Sequence, residues 1–224
     1  MQAFFPFHTC ETPNNDGLVA QPVSATINII TCIILIYFAW HARTITIKIL
    51  LLSFIVFQAF HAFSHIRHIE GHVQSNVIHT IWYFVAFMVL FTSMQMSKKP
   101  PSIYTILLLS IIILIDLYLF FYTSKVYMVF TAFTLPVIVV LSYYNTYPTF
   151  MKNTIPYLIL LLIIVAVLLL NEKYNCEAMI AYANLPYHAI IETLGLILFT
   201  TLAYLFIRWE QTPYCVAKNN LFCF

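Results

Sequence analysis

Seven apolar runs follow one another along the chain with short polar links: 23–40, 45–65, 78–96, 103–121, 126–143, 155–170 and 187–207. A membrane-spanning helix needs roughly 20 mostly apolar residues, because in hydrocarbon every backbone N–H and C=O must be satisfied within the segment. Charged residues make up only 8% of the 224 positions, too few to coat a water-soluble globule of this size. The pattern predicts an all-α polytopic membrane protein, a seven-transmembrane helix bundle. An external amino-terminal segment over 1–22 precedes the membrane domain over 23–209, and a cytosolic tail follows over 210–224. Short links favour antiparallel neighbours. Pro100, Pro101, Pro148 and Pro186 lie near run ends, where a missing backbone donor does least harm, whereas Pro136 predicts a kink in the fifth helix. No Lys or Arg precedes the first run, so 1–22 is expected to remain as an external cap rather than be removed as a signal peptide.

Orientation follows from the basic residues, which accumulate in cytoplasmic loops. With the amino terminus outside, Arg43, Lys48, Lys98, Lys99, Lys152, Arg208 and Lys218 fall on the cytosolic side. Arg67, Lys125 and Lys173 fall outside, a ratio of seven to three that decides the orientation. The net charge of +2 is spread over loops, with no basic patch interleaved with aromatics, which argues against nucleic acid as a partner. The same topology places Cys10 and Cys176 together on the external, oxidising side and predicts a disulfide between them. It also suits a secretory-pathway membrane such as the endoplasmic reticulum or Golgi.

Six of the eight histidines, His61, His65, His68, His72, His79 and His188, gather at the external ends of the second, third and seventh helices. Within the second run, His61, Ser64, His65, His68 and His72 follow i, i+3, i+4, i+7 and i+11, one stripe of an α-helix. In the seventh, His188 and Glu192 share a face at i, i+4, a spacing that suits chelation. Ionisable side chains within a span are costly unless they face a polar cavity or pair, which marks Glu192 and Asp116. Imidazoles with a carboxylate and the Ser64 hydroxyl suit Zn²⁺, which takes nitrogen and oxygen ligands tetrahedrally. At least one of His61, His65 and His68 is expected to support the site rather than bind the ion. Asp116 is expected either in a supporting role or in interhelical hydrogen bonds.

These residues resemble the alkaline ceramidase family, within the seven-helix membrane hydrolases that include adiponectin-receptor-like proteins. In that family a Ser-x-x-x-His pair ending the second helix, an Asp eleven residues later and a His-x-x-x-His in the seventh helix build a zinc site that hydrolyses the ceramide amide. Here Ser64-x-x-x-His68 keeps the first spacing, and His79 stands eleven residues past His68 in place of the Asp. Tyr187-His188-Ala189-Ile190-Ile191-Glu192-Thr193-Leu194-Gly195 looks like the family's His-Ala-Trp-Trp-His-Ile-Leu-Thr-Gly run, with Glu192 replacing the second His. One carboxylate and one imidazole have exchanged places. Cys10-Glu11 and Cys176-Glu177 resemble the family's bridged Cys-Glu pairs. Gln21 to Asn28 resembles the start of the family's first helix only loosely, and of the carboxylates in the family's calcium site this chain keeps little beyond Glu11, with Asn14, Asn15 and Asp16 nearby, so calcium is not expected.

The resemblance implies a zinc-dependent intramembrane hydrolase of a lipid amide or ester, a ceramide-like sphingolipid above all. His68, His79 and His188 would hold Zn²⁺, Glu192 would be a fourth ligand or the general base, and Ser64 would stabilise the oxyanion. His61, His65 and Asp116 would stand behind them. The rival expectations are a non-catalytic lipid-binding or receptor-like protein on the same fold, and a proton or metal-ion transporter using the histidines as a relay.

Overall fold

The computed structural model describes residues 17–67, 72–122, 125–183 and 187–218, with side chains described except at 72–79, 120–133, 173, 177, 179–183 and 213–218. These residues form helices α1 (Pro22–His41), α2 (Ile45–Arg67), α3 (His72–Ser97), α4 (Ile103–Tyr122), α5 (Lys125–Ser142), α6 (Thr149–Ala183) and α7 (Tyr187–Lys218), with a 3₁₀ turn at Tyr144–Thr146 between α5 and α6. No strand occurs among the described residues. Among the described residues, five helical segments are long and apolar enough to cross a membrane: Pro22–His41, Ile45–Arg67, Thr80–Ser97, Thr149–Glu172 and Tyr187–Thr212. Only 17% to 44% of each segment's most apolar stretch is buried within the chain, so most of this apolar surface needs a lipid solvent. Ile33, Ile36, Leu52, Val56, Leu160 and Val167 are among the exposed side chains that would face it.

Local sequence chemistry sets the ends of the helices. Pro22 occupies the first turn of α1, where its missing N–H leaves no gap in the hydrogen-bond ladder. Ser102 caps α4, accepting at Oγ from the backbone N–H of Thr105 at 3.1 Å. Lys98, at φ 54°, ends α3 ahead of Pro100 and Pro101. Polar side chains within the helices bond to their own backbone: Thr31 Oγ1–H donates to Ile27 O at 2.9 Å, and Asn28 Nδ2–H to Ser24 O at 3.1 Å.

Each expected run coincides with a helix, but three helices extend well beyond their runs: α3 starts at His72 rather than 78, and α6 and α7 run further still. The sixth run covers 155–170, whereas α6 reaches Ala183 through non-helical dihedrals at Asn175 (φ −129°, ψ 23°), which brings Glu172 inside the helix. The seventh run ends at 207, whereas α7 continues to Lys218, beyond the expected membrane boundary at 209. Pro136 lies inside α5 as expected, and Pro156 lies inside α6 as well.

α1 packs against α2 and α7, α2 against α3, α3 and α4 against α5, and α6 against α7. The core is formed by Leu35, Ile47, Leu50, Leu51, Phe54 and Phe206, all nearly inaccessible. At the cytosolic end of the predicted topology, Glu210 of α7 accepts from the backbone N–H groups of Arg43, at 2.8 Å, and Thr44. This carboxylate therefore caps the start of α2 from a different helix. Nearby, Tyr147 packs its ring on Trp209 at 5.1 Å and shares a 3.1 Å hydrogen bond with Ser93. Burial pushes the Tyr147 phenol up to about 12.

Candidate metal centre

The second run faces α7 near the other end of both helices, and there the histidine stripe meets the His188/Glu192 pair. One ligand atom from each of His61, His65, His188 and Glu192 lies within 4.8 Å of the others, and all four residues are buried. Both helices contribute an i, i+4 pair, so two short ladders oppose each other. His65 stands against His188, with ring centroids 5.1 Å apart, and His61 against Glu192 at 3.5 Å. Glu192 Oε1 lies 3.5 Å from His65 Nε2 and 2.9 Å from His188 Nε2. Neither of these two nitrogens makes a hydrogen bond of normal geometry, although both are buried. The Nε2 atoms of His61, His65 and His188 thus gather around one carboxylate oxygen, Glu192 Oε1, at 3.5, 3.5 and 2.9 Å.

The outward nitrogens of two of these rings are held. His188 Nδ1–H donates to the Glu172 carboxylate, 3.0 and 2.9 Å from its two oxygens, and Glu172 is itself buried on α6. His65 Nδ1–H donates to Gln21 Oε1 at 2.7 Å. These bonds fix the tautomer and turn each Nε2 lone pair inward, the usual arrangement around a metal-binding imidazole. Three imidazole nitrogens and a carboxylate oxygen match the donors and the coordination number of Zn²⁺. Two buried carboxylates also place two negative charges beside the rings, a balance that a divalent cation neutralises. The residues therefore fit a divalent metal.

The donor set differs from the expected one in membership. Of the residues expected as ligands, His188 and Glu192 belong to the converging group. His61 and His65, expected in support, belong to the converging group. His68 lies outside the described residues, as does the side chain of His79, so their expected roles as ligands have no structural description. Ser64 is fully buried on α2, and its hydroxyl donates to Phe60 O at 2.9 Å, within its own helix. Asp116 is buried on α4, which packs on α5, and is not one of the four converging residues. Two further carboxylates, Glu172 and Glu210, are buried as well as Glu192 and Asp116. Glu172 follows the end of its apolar run between Asn171 and Lys173, so hydropathy reads it as loop. Gln21 stands just before α1 and carries no charge to mark it. Cys10 and Glu11 lie outside the described residues. Cys32 is a free thiol, whereas Cys176 is not free.

An apolar cavity lies deeper in the bundle, with none of the four converging residues in its lining. Trp82, Pro136, Val140, Ile155, Phe199 and Phe206 are among its lining residues, drawn from α3, α5, α6 and α7. The Phe57 ring bridges cavity and site, lying 5.8 Å from His61, 5.0 Å from Trp82 and 5.5 Å from Phe199. No family model, curated protein or solved structure matches the chain.

Proposed function

We propose that this chain is a zinc-dependent intramembrane hydrolase of a lipid amide or ester, with a ceramide-like sphingolipid as its substrate class. In this reading His61, His65 and His188 are the nitrogen ligands, and Glu192 takes the proton from the attacking water. The single observation that carries the reading is the convergence of three buried imidazoles and one carboxylate within 4.8 Å, from two helices far apart in sequence. When bound, Zn²⁺ supplies Lewis acidity: it polarises a carbonyl and makes water a nucleophile near neutral pH. The chain's own residues orient the ligands, exclude bulk water through burial and accept the proton at a Glu192 oxygen. The apolar cavity beyond Phe57 supports a lipid substrate, since its lining suits an acyl tail. A seven-span bundle with the amino terminus outside belongs to the same proposal, as do the Cys10–Cys176 bridge and residence in a secretory-pathway membrane. The last two are supported by an external face that is oxidising in such membranes.

A second reading has its own support. Four protein donors close a zinc tetrahedron, whereas catalytic zinc sites keep one position open. If Glu192 binds the ion directly, the centre becomes a structural clamp between α2 and α7 in a lipid-binding or receptor-like protein. Zinc analysis and turnover on a panel of ceramides and lipid esters separate the readings. The hydrolase reading expects about one zinc per chain and hydrolysis, with both lost in His188→Ala. Zinc without turnover across the panel favours the clamp, and metal-free protein with unchanged turnover in His188→Ala overturns both.

A further inference from the structure

Gln21 stands at the start of α1, yet its side chain does not cap that helix. Gln is also a weak choice for a cap beside Ser, Thr, Asp or Asn. The side chain instead reaches across to α2, where Oε1 accepts from His65 Nδ1–H at 2.7 Å, and the residue is fully buried. The backbone makes the same connection. Gln21 N–H donates to His65 O at 3.0 Å, and Ala20 N–H donates to Ile66 O at 3.1 Å. Three hydrogen bonds thus tie 20–21 to 65–66 at a residue of the metal centre. Glu172 makes the equivalent tie from α6 to His188.

We infer that Gln21 and Glu172 are the positioning residues of this centre, each fixing one imidazole through Nδ1 so that its Nε2 faces the cation. This rests on the metal-site reading above. The two anchors differ in charge. Glu172 is a carboxylate, which strengthens its imidazole as a donor as well as orienting it. Gln21 is a neutral amide, which orients its imidazole without adding charge to a pocket that already holds two carboxylates. Gln21 also places metal assembly under the control of the segment leading into α1, because the backbone bonds that dock this segment fall on His65 and its neighbour.

Detergent-purified protein is titrated with Zn²⁺ against a competing chelator, and the absorption spectrum of the Co²⁺ form is recorded. The variants are Gln21→Leu, Gln21→Glu, Glu172→Leu and Glu172→Gln. The Leu variants lose the acceptor and are expected to bind zinc roughly 10- to 100-fold more weakly, the range seen when the partner of a metal-bound imidazole is removed. Gln21→Glu and Glu172→Gln keep an acceptor, so they are expected to recover most of that loss while shifting the Co²⁺ bands, because donor strength at one ring has changed. A purely structural role would not move those bands. Leu variants that bind like the unaltered protein overturn the assignment. So do Gln21→Glu and Glu172→Gln variants with unshifted spectra, and this second comparison stands even if the Leu variants fail to fold. If the unaltered protein binds neither ion, it is the metal-site reading that falls.

Discussion

At the scale of single residues, the candidate metal centre depends on direction as much as on identity. The sequence stripe of His61, His65, His68 and His72 marks one face of α2 but says nothing about depth. Depth is set by where α7 brings His188 and Glu192 against that face. This explains why the choice between His61, His65 and His68 was open to sequence reasoning while His188 and Glu192 were legible. Glu172 and Gln21 were illegible for a different reason: each earns its role only through a partner on another helix. His65→Ala removes a fully buried donor from the converging set, and such a variant is expected to purify without stoichiometric zinc. Metal analysis checks this, and a full complement of zinc in that variant contradicts the ligand assignment. Stripping the ion with a strong chelator is expected to abolish lipid hydrolysis, and adding Zn²⁺ back is expected to restore it. Activity that persists in chelator sends the hydrolase reading back to metal-free chemistry.

At the scale of helices, α7 is fastened to α2 at both ends, by the histidine and carboxylate group at one and by Glu210 at the other. Glu210→Ala leaves the N–H groups of Arg43 and Thr44 without their buried acceptor, and the cost expected is about 1–3 kcal/mol. Phe206→Ala opens the core where Phe206 is nearly inaccessible, and the expected cost is about 3–5 kcal/mol. Denaturation of the purified protein in mixed micelles measures both, and a Glu210→Ala variant as stable as the unaltered protein would show that the cap is dispensable. Helix existence was legible because the apolar runs are long and separated by Pro and charged residues. Helix ends were not, since Glu172 and the stretch beyond 207 leave the apolar pattern without leaving the helix. Proline was a partial guide, for Pro136 and Pro156 both lie inside helices rather than ending them.

At the scale of the whole molecule, the all-helical architecture was evident from apolar runs and sparse charge, and five segments have the length and hydropathy to cross a bilayer. Orientation rests on the seven-to-three distribution of Lys and Arg. With native cysteines replaced, a cysteine at Lys99 is expected to react with a membrane-impermeant reagent only from the cytosolic side, and one at Tyr174 only from the other. Labelling of both from one side contradicts the topology. The site joins these scales, because only a bundle that brings α2, α6, α7 and the start of α1 together places Glu172 and Gln21 behind imidazoles aimed at one point. X-ray absorption at the zinc edge of the purified protein tests that claim most directly. The account predicts a tetrahedral ion with three imidazole nitrogens at about 2.0–2.1 Å and one oxygen at about 2.0–2.2 Å, with the imidazole signal diminished in His65→Ala. An ion bound without imidazole scattering, or no bound ion, would contradict it.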